Sequence, residues 1–348
     1  MGSVPVVIAS PLEAELVEHL RTVDDRLEVH FEPDLLPPPR YPCDHRGELG
    51  FARTPEQEAR FTELVAGAEI LFGLPEESPE RLAWAVRVAP ALRFVQGTAA
   101  GAGQQVRAAE LTPDELRRVH FASSAGVHAT PLAEWAIFGV LSFRKGLPRL
   151  LADADGRRFD HYPVDELRNA TLLVVGVGEI GREVARLGAA FGMRVVGVKR
   201  DARGQLPHVD ELHTPDRLDE LAGGADAIVI TLPLTLETDG LVSRTTIQSM
   251  RPDAVLVNIG RGGVVDEPAL VEALQERRLR GAALDVFATE PLPPESPLWA
   301  LDNVLISPHT AALSVHENER IVELFTDNLR RYLAGEELRS RIRTDAFY

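Results

Sequence analysis

Gly176-Val177-Gly178-Glu179-Ile180-Gly181 places three glycines where a chain turns tightly and comes close to a phosphate. The apolar run 171–175 (TLLVV) leads into it, and a helical stretch (GREVARLGAAFG) leads out. In that setting Gly176 makes the turn, Gly178 lets the backbone approach a pyrophosphate, and Gly181 lets the helix lie close on the strand. The first helical turn, with Glu179 and Ile180, adds unpaired N–H groups and the positive end of the helix dipole. The chemistry is dinucleotide binding. The next strand, 194–198, should end where the adenosine ribose is read, and it ends in Lys199-Arg200-Asp201. A carboxylate at that tip binds the ribose 2′-hydroxyl of NAD, whereas ammonium and guanidinium groups pair with the 2′-phosphate of NADP. Lys199 and Arg200 therefore predict NADP(H), with NAD(H) as the alternative cofactor should Asp201 do the reading.

Arg261, Glu290 and His309 are the remaining residues with chemistry to offer, and each stands at or just beyond a strand end. Open α/β sheets bind their ligands at such strand ends. Their settings occur in order along the chain: TLPLTLETDGLVS at 231–243, VLVNIGRGGVVDEPALVEAL at 255–274, GAALDVFATEPLP at 281–293 and NVLISPHTAA at 303–312. This succession, downstream of the glycine motif, resembles the D-isomer-specific 2-hydroxyacid dehydrogenases, in detail over 90–315 and more faintly over the first 90 residues.

The resemblance implies that Arg261, Glu290 and His309 are the catalytic set, and the chemistry agrees. A 2-oxo acid carries a carboxylate and a ketone oxygen that becomes alkoxide-like as hydride arrives, and a guanidinium can hold both. A proton must reach that oxygen from an acid titrating near neutrality, which suits histidine. A carboxylate beside the imidazole favours its cationic form and fixes its orientation. By the same resemblance Leu232, Pro233, Thr235, Thr238, Ile259 and Gly260 line the cofactor, and Asp285 bonds the nicotinamide carboxamide. Ala99, Ala100 and Gly101, after Thr98, are implied to hold the substrate carboxylate on backbone N–H groups, as a run of small residues permits. Gln96 precedes that loop as a candidate support. Ala102-Gly103 depart from the Val-Asp that family members often carry next. His128 and Glu134 match an interdomain segment, and read as structural caps.

These residues must be positioned by a particular scaffold. Strand candidates at 4–9, 27–31, 69–73 and 92–96 alternate with helical stretches at 12–20, 60–67 and 79–89. Further strands are expected at 171–175, 194–198, 227–231, 254–259, 281–285 and 304–307, with helices between most of them. Such alternation implies parallel βαβ units in an α/β protein. Two Rossmann-like, doubly wound parallel-sheet domains are expected, with a dinucleotide-binding domain at 131–310 inserted in a substrate domain of 1–130 and 311–348. In the family, the ligands lie in the cleft between the two. The stretch 132–147, opened by Thr130 and Pro131, is apolar around most of its circumference, so the chain or a partner subunit buries it. It matches the family's dimerisation element and implies a homodimer. A last amphipathic helix is expected at 317–334. Residues 33–55 and 97–103 read as loops.

Composition sets the outer limits. Hydrophobic residues make up 45% and charged residues 26% of 348 residues, which is globular and large enough for two domains. A net charge of −16 argues against a surface that tracks nucleic acid or anionic lipid. No apolar stretch approaches the ~18 residues of a membrane span, and the first residues lack a basic, signal-like segment. A single cysteine, Cys43, forms no internal disulfide and no metal pattern, which fits a reducing cytoplasm. Asp44, His45 and Arg46 read as a solvated charge cluster, while Arg40, Arg46 and Arg53 are the cations that could reach a second substrate carboxylate.

Rival activities are discriminated by single residues. The formate branch resembles a glutamine where this chain has Glu290. The phosphite branch carries a substrate lysine, whereas the chain's only lysines are Lys145 and Lys199. The few residues after the last helix leave no room for the regulatory domain of phosphoglycerate dehydrogenases. A dinucleotide-sensing scaffold of the corepressor kind retains the same triad, and turnover alone separates it from an enzyme.

Overall fold

The computed structural model describes residues 3–345 and 347. Among these, two parallel sheets form, one in each of two compact units: Met1–His128 with Leu313–Tyr348, and Ala129–Ala312. The first unit holds β1 (Val4–Ile8), β2 (Leu27–His30), β3 (Ile70–Phe72), β4 (Phe94–Gln96) and β5 (His120–Ala122) in the order β2-β1-β3-β4-β5. Both faces are covered, so the strands read as runs of Val, Ile, Leu and Phe rather than as alternations. Val6 lies opposite Val29 on one side and Ile70 on the other. The final helix Glu317–Ala334 closes one face: the Phe325 ring lies 5.1 Å from Phe72 and 5.8 Å from Phe94. Burying a Phe of this kind contributes about 1.5–3 kcal/mol.

The second unit holds β6 (Thr171–Val175), β7 (Arg194–Val198), β8 (Glu211–His213), β9 (Ala227–Ile230), β10 (Val255–Asn258), β11 (Gly281–Leu284) and β12 (Val304–Ile306). Their order is β12-β11-β10-β9-β6-β7-β8. The direction of winding reverses between β6 and β9, and in such sheets a crevice opens there beyond the strand ends.

The α/β reading holds for both sheets. The short strands β5 and β8 and the helices Pro113–Arg118 and Leu147–Asp155 were not expected from sequence. The first of these helices is announced by a capping box, Thr112 with Glu115. The apolar stretch expected to run to 147 instead stops at Arg144, because Gly146 adopts φ 71° and Pro148 starts a new helix. The chain itself buries Leu132, Ala133, Ala136, Ile137, Val140 and Phe143 of that helix.

The Pro-rich segment departs from expectation at Asp44. Its side chain is buried rather than solvated, because Arg40 grips both carboxylate oxygens at 2.7 and 3.1 Å. The Arg40 hydrogen bonds hold the Asp44 carboxyl down at about 2. His45 is tied to Asn318 at 2.7 Å, and Cys43 donates to the Ser314 carbonyl at 3.0 Å. Among the described residues no helix is long and apolar enough to cross a membrane, and no group of His, Cys, Asp and Glu could hold a metal ion.

Candidate active site

The glycine turn follows directly from β6. Gly176 has φ 104°, in the left-handed region that favours glycine, and the Gly178 backbone begins the helix Glu179–Ala190. A side chain at Gly181 would put its Cβ 2.0 Å from the Gly176 carbonyl, so only glycine lets the helix sit on the turn. At Gly178 a Cβ would meet nothing within 4 Å, which leaves space beside the turn. The N–H groups of Val177, Gly178, Glu179, Ile180 and Gly181 have no hydrogen-bond partner among the described residues. Five unpaired donors around open space at a helix N-terminus fit the pyrophosphate of a dinucleotide.

At the end of β7, Asp201 is bound by Arg203 through two hydrogen bonds of 2.8 and 2.7 Å. Arg200 pairs with Glu237 at 2.8 Å, and Lys199 is half-buried at the strand tip. Across the switch point, Leu232 packs beside Gly176, and Gly260 lies against the Leu232 backbone. Ile259 is buried there. Thr238 spends its hydroxyl on the Pro233–Thr238 turn: it donates to the Pro233 carbonyl at 2.6 Å and accepts from the Thr235 N–H at 2.8 Å.

The ends of β10, β11 and β12 bring Arg261, Glu290 and His309 together. Arg261 is exposed on a turn fixed by Asn258, whose side chain accepts from the Gly260 N–H at 3.0 Å and donates to the Arg261 carbonyl at 3.1 Å. A Cβ at Gly262 would fall 1.9 Å from the Phe287 backbone, so this glycine lets the Arg261 turn press on the segment leading to Glu290. Glu290 accepts from the Phe287 N–H at 3.0 Å, and its second oxygen lies 2.7 Å from His309 Nδ1. Partial burial pushes the Glu290 carboxyl up. The hydrogen bonds from His309 and Phe287 and the His309 and Arg261 charges outweigh it and hold the group below the ordinary carboxylate value. An ionised carboxylate only accepts, so Nδ1 carries the hydrogen and Nε2 is left for other chemistry.

His309 has φ 52°, a conformation that costs free energy for a side chain other than glycine. Asp285 holds it there. Its carbonyl accepts from the His309 N–H at 2.9 Å, and its buried Oδ1 accepts from the N–H groups of Thr310 and Ala311 at 2.9 and 3.0 Å and from the Ser307 hydroxyl. The structure thus shows Asp285 Oδ1 binding the His309 loop, while Oδ2 takes part in none of these bonds.

In the first unit the loop after β4 carries Thr98, Ala99, Ala100 and Gly101, whose N–H groups have no partner among the described residues. Gln96 is buried and supports this loop from below, donating to the carbonyls of Gly97 and Ser123 at 3.1 and 3.2 Å and accepting from Asn328 at 2.9 Å. The loop, expected from sequence to reach 103, ends earlier, because an unexpected helix, Ala102–Ala108, starts there. His128 is bonded to the buried Glu317 at 3.0 Å and acts structurally. Sequence reasoning passed over three residues here: Asn258, Ser307 and Glu77. A polar residue closing an apolar strand (VLVN) was the signal for Asn258. Glu77 had none, because its partners Thr98 and Gln105 lie far from it in sequence.

The model of the D-isomer specific 2-hydroxyacid dehydrogenase NAD binding domain matches residues 137–311. A glyoxylate reductase of Aeropyrum pernix is 41% identical over 172 residues, which are 49% of this chain and 51% of that protein. The chain therefore spans about half the length of this relative. Over the whole fold, a D-isomer specific 2-hydroxyacid dehydrogenase family protein of Aeromonas salmonicida superposes with TM-score 0.77 at 26% identity, covering 99% of this chain and 100% of that one. An NADPH-dependent glyoxylate/hydroxypyruvate reductase of Sinorhizobium meliloti, solved with NADP and sulfate, gives TM-score 0.73 at 25% identity, covering 99% and 100%. Two parallel sheets, a glycine turn at the switch point and a family match over half of its residues lead to one conclusion: the chain belongs to the D-isomer specific 2-hydroxyacid dehydrogenases.

Proposed function

We propose that this protein transfers a hydride between NADP(H) and a small 2-oxo/2-hydroxy acid, with D stereochemistry following the family. The observation that carries the reading is the 2.7 Å contact of His309 Nδ1 with Glu290, formed beside Arg261 in the unit that also holds the glycine turn. The nicotinamide, when bound, supplies or accepts the hydride. Arg261 holds the carboxylate and ketone oxygen of the substrate and stabilises charge on that oxygen. His309 Nε2 gives it a proton in reduction and takes the proton back in oxidation. Glu290 orients the ring through its contact with Nδ1. The N–H groups of Thr98 to Gly101 donate to the substrate carboxylate. On this reading Ala129–Ala312 is the cofactor domain and the other unit carries the substrate loop. Loss of NADPH absorbance with glyoxylate or hydroxypyruvate tests the reading; NADPH binding without turnover of any 2-oxo acid would instead mark a dinucleotide sensor.

The cofactor choice follows from the β7 tip. Arg203 neutralises Asp201, Lys199 stands at the strand tip, and Arg200 can exchange the exposed Glu237 for a 2′-phosphate. The Sinorhizobium meliloti relative, solved with NADP, supports the same choice. Replacing Lys199 and Arg200 together by Ala should lower kcat/KM with NADPH about 10- to 100-fold, the value of charge-assisted hydrogen bonds, and leave NADH nearly unaffected. A wild type that prefers NADH would refute the assignment.

A homodimer belongs to the same proposal. Phe138, Leu150, Leu151, Phe159 and Val164 are exposed apolar side chains within one stretch of the second unit, and Phe159 is 93% exposed. Such exposure marks an association surface. Sedimentation should report a dimer that Phe159→Asp with Leu151→Asp dissociates; a wild-type monomer at assay concentrations would sink the idea.

A further inference from the structure

The first unit places an acid beside the proposed carboxylate loop. Glu77 follows β3, in a turn where both it and Glu76 have positive φ. One oxygen of Glu77 accepts from the Thr98 hydroxyl at 3.0 Å, and the other accepts from the Gln105 amide at 3.3 Å. Thr98 is buried and begins the run of unpaired N–H groups, so the Glu77 carboxylate is hydrogen-bonded directly to that loop. Gln105 Oε1 is also buried without a partner, which adds a second acceptor.

The cations nearby are already engaged. Arg53 donates to the Leu35 carbonyl at 2.6 Å and pairs with Glu58 and Glu76, Arg81 pairs with the same two glutamates, and Arg40 is held by Asp44. Arg46 is exposed and has no partner among the described residues. Arg53 Nη2 and Arg81 Nε are buried without hydrogen-bond partners, as Gln105 Oε1 is, so Glu77 is the charged group bonded to the loop itself. Removal from water pushes the Glu77 carboxyl up, against the opposing charge of His45.

We propose that Glu77 determines substrate specificity by selecting 2-oxo acids whose substituent donates a hydrogen bond or is cationic, and by rejecting those with a second carboxylate. This rests on the reading of Thr98 to Gly101 as the carboxylate loop. A substituent hydroxyl or ammonium finds an acceptor in Glu77. A second carboxylate meets the like charge of Glu77, which disfavours it.

The test measures kcat/KM for glyoxylate, hydroxypyruvate and oxaloacetate with the wild type, Glu77→Gln and Arg46→Ala. Binding of the last two acids to the NADP-loaded proteins is measured by calorimetry, so selectivity is read even without turnover. The wild type should favour hydroxypyruvate over oxaloacetate. Glu77→Gln should reduce that ratio about tenfold or more, as about 1.4 kcal/mol of relieved repulsion predicts, and Arg46→Ala should leave it unchanged. Both acids are compared on one sample, so partial misfolding lowers both values and spares the ratio. A ratio that Glu77→Gln does not move, or a wild type that favours oxaloacetate through Arg46, overturns the proposal. Failure to turn over glyoxylate strikes the enzyme reading instead and leaves the calorimetric ratio to decide on Glu77.

Discussion

His309→Ala should lower kcat for reduction of a 2-oxo acid about 100- to 10,000-fold, the usual worth of a positioned general acid, and leave the affinity for NADPH near that of the wild type. The expectation follows from where the imidazole is held. Nδ1 faces Glu290 at 2.7 Å, so Nε2 is the nitrogen that can serve a substrate oxygen. The N–H groups that fit a pyrophosphate belong to the turn after β6, and the imidazole takes no part in that turn. Single-turnover reduction beside a binding titration separates the two quantities. An alanine variant that keeps most of its kcat would remove His309 from proton transfer. Glu290→Gln adds a second check. The amide keeps a hydrogen bond but can meet Nδ1 with its NH2 as well as its oxygen, so the ring loses its fixed orientation and the reductive kcat should fall while NADPH affinity stays. In the wild type the Glu290 carboxyl is held below its ordinary value, so the pair survives acidification until pH falls through that depressed value.

The sequence and the structure tell unequal parts of this story. The strands were legible because parallel sheets covered on both faces demand unbroken apolar runs, and TLLVV, AIVI and VLVN are such runs. The glycine turn was legible because the steric demand acts on neighbours in sequence: Gly181 must be bare to clear Gly176. Arg261, Glu290 and His309 were found through motif order, since nothing local tells an exposed arginine on a turn from a functional one. Part of what stayed hidden depends on contacts between distant segments, and part on local details. Asp285 gave no sign in the sequence of its bonds through Oδ1 to donors from 307–311. Asp44 read as solvated, yet a bidentate arginine four residues away buries it. Glu77 gave no signal, for its partner Thr98 is on another loop. Helix ends were misjudged where one glycine decides, as at Gly146.

The second large effect concerns the guanidinium. Arg261→Ala should lower kcat by about 100- to 1,000-fold, as the loss of a donor to a developing oxyanion does, and raise KM as well, because in the proposed mechanism the same group holds the substrate carboxylate. Its position supports both roles. The backbone turn is fixed by Asn258 on one side and pressed against the Phe287 segment through Gly262 on the other, so the side chain starts from a rigid base. It also lies close enough for its charge to help lower the Glu290 carboxyl, so charge lost at Arg261 weakens the acid pair too. Arg261→Lys should restore little. A lysine keeps the charge but not the planar fork that meets a carboxylate and a ketone oxygen at once. Initial rates over a range of hydroxypyruvate at saturating NADPH distinguish the outcomes. A lysine variant with near wild-type kcat would reduce Arg261 to a point charge. An alanine variant with raised KM and intact kcat would confine it to ground-state binding, and the stabilisation of the ketone oxygen would then have to come from His309 alone.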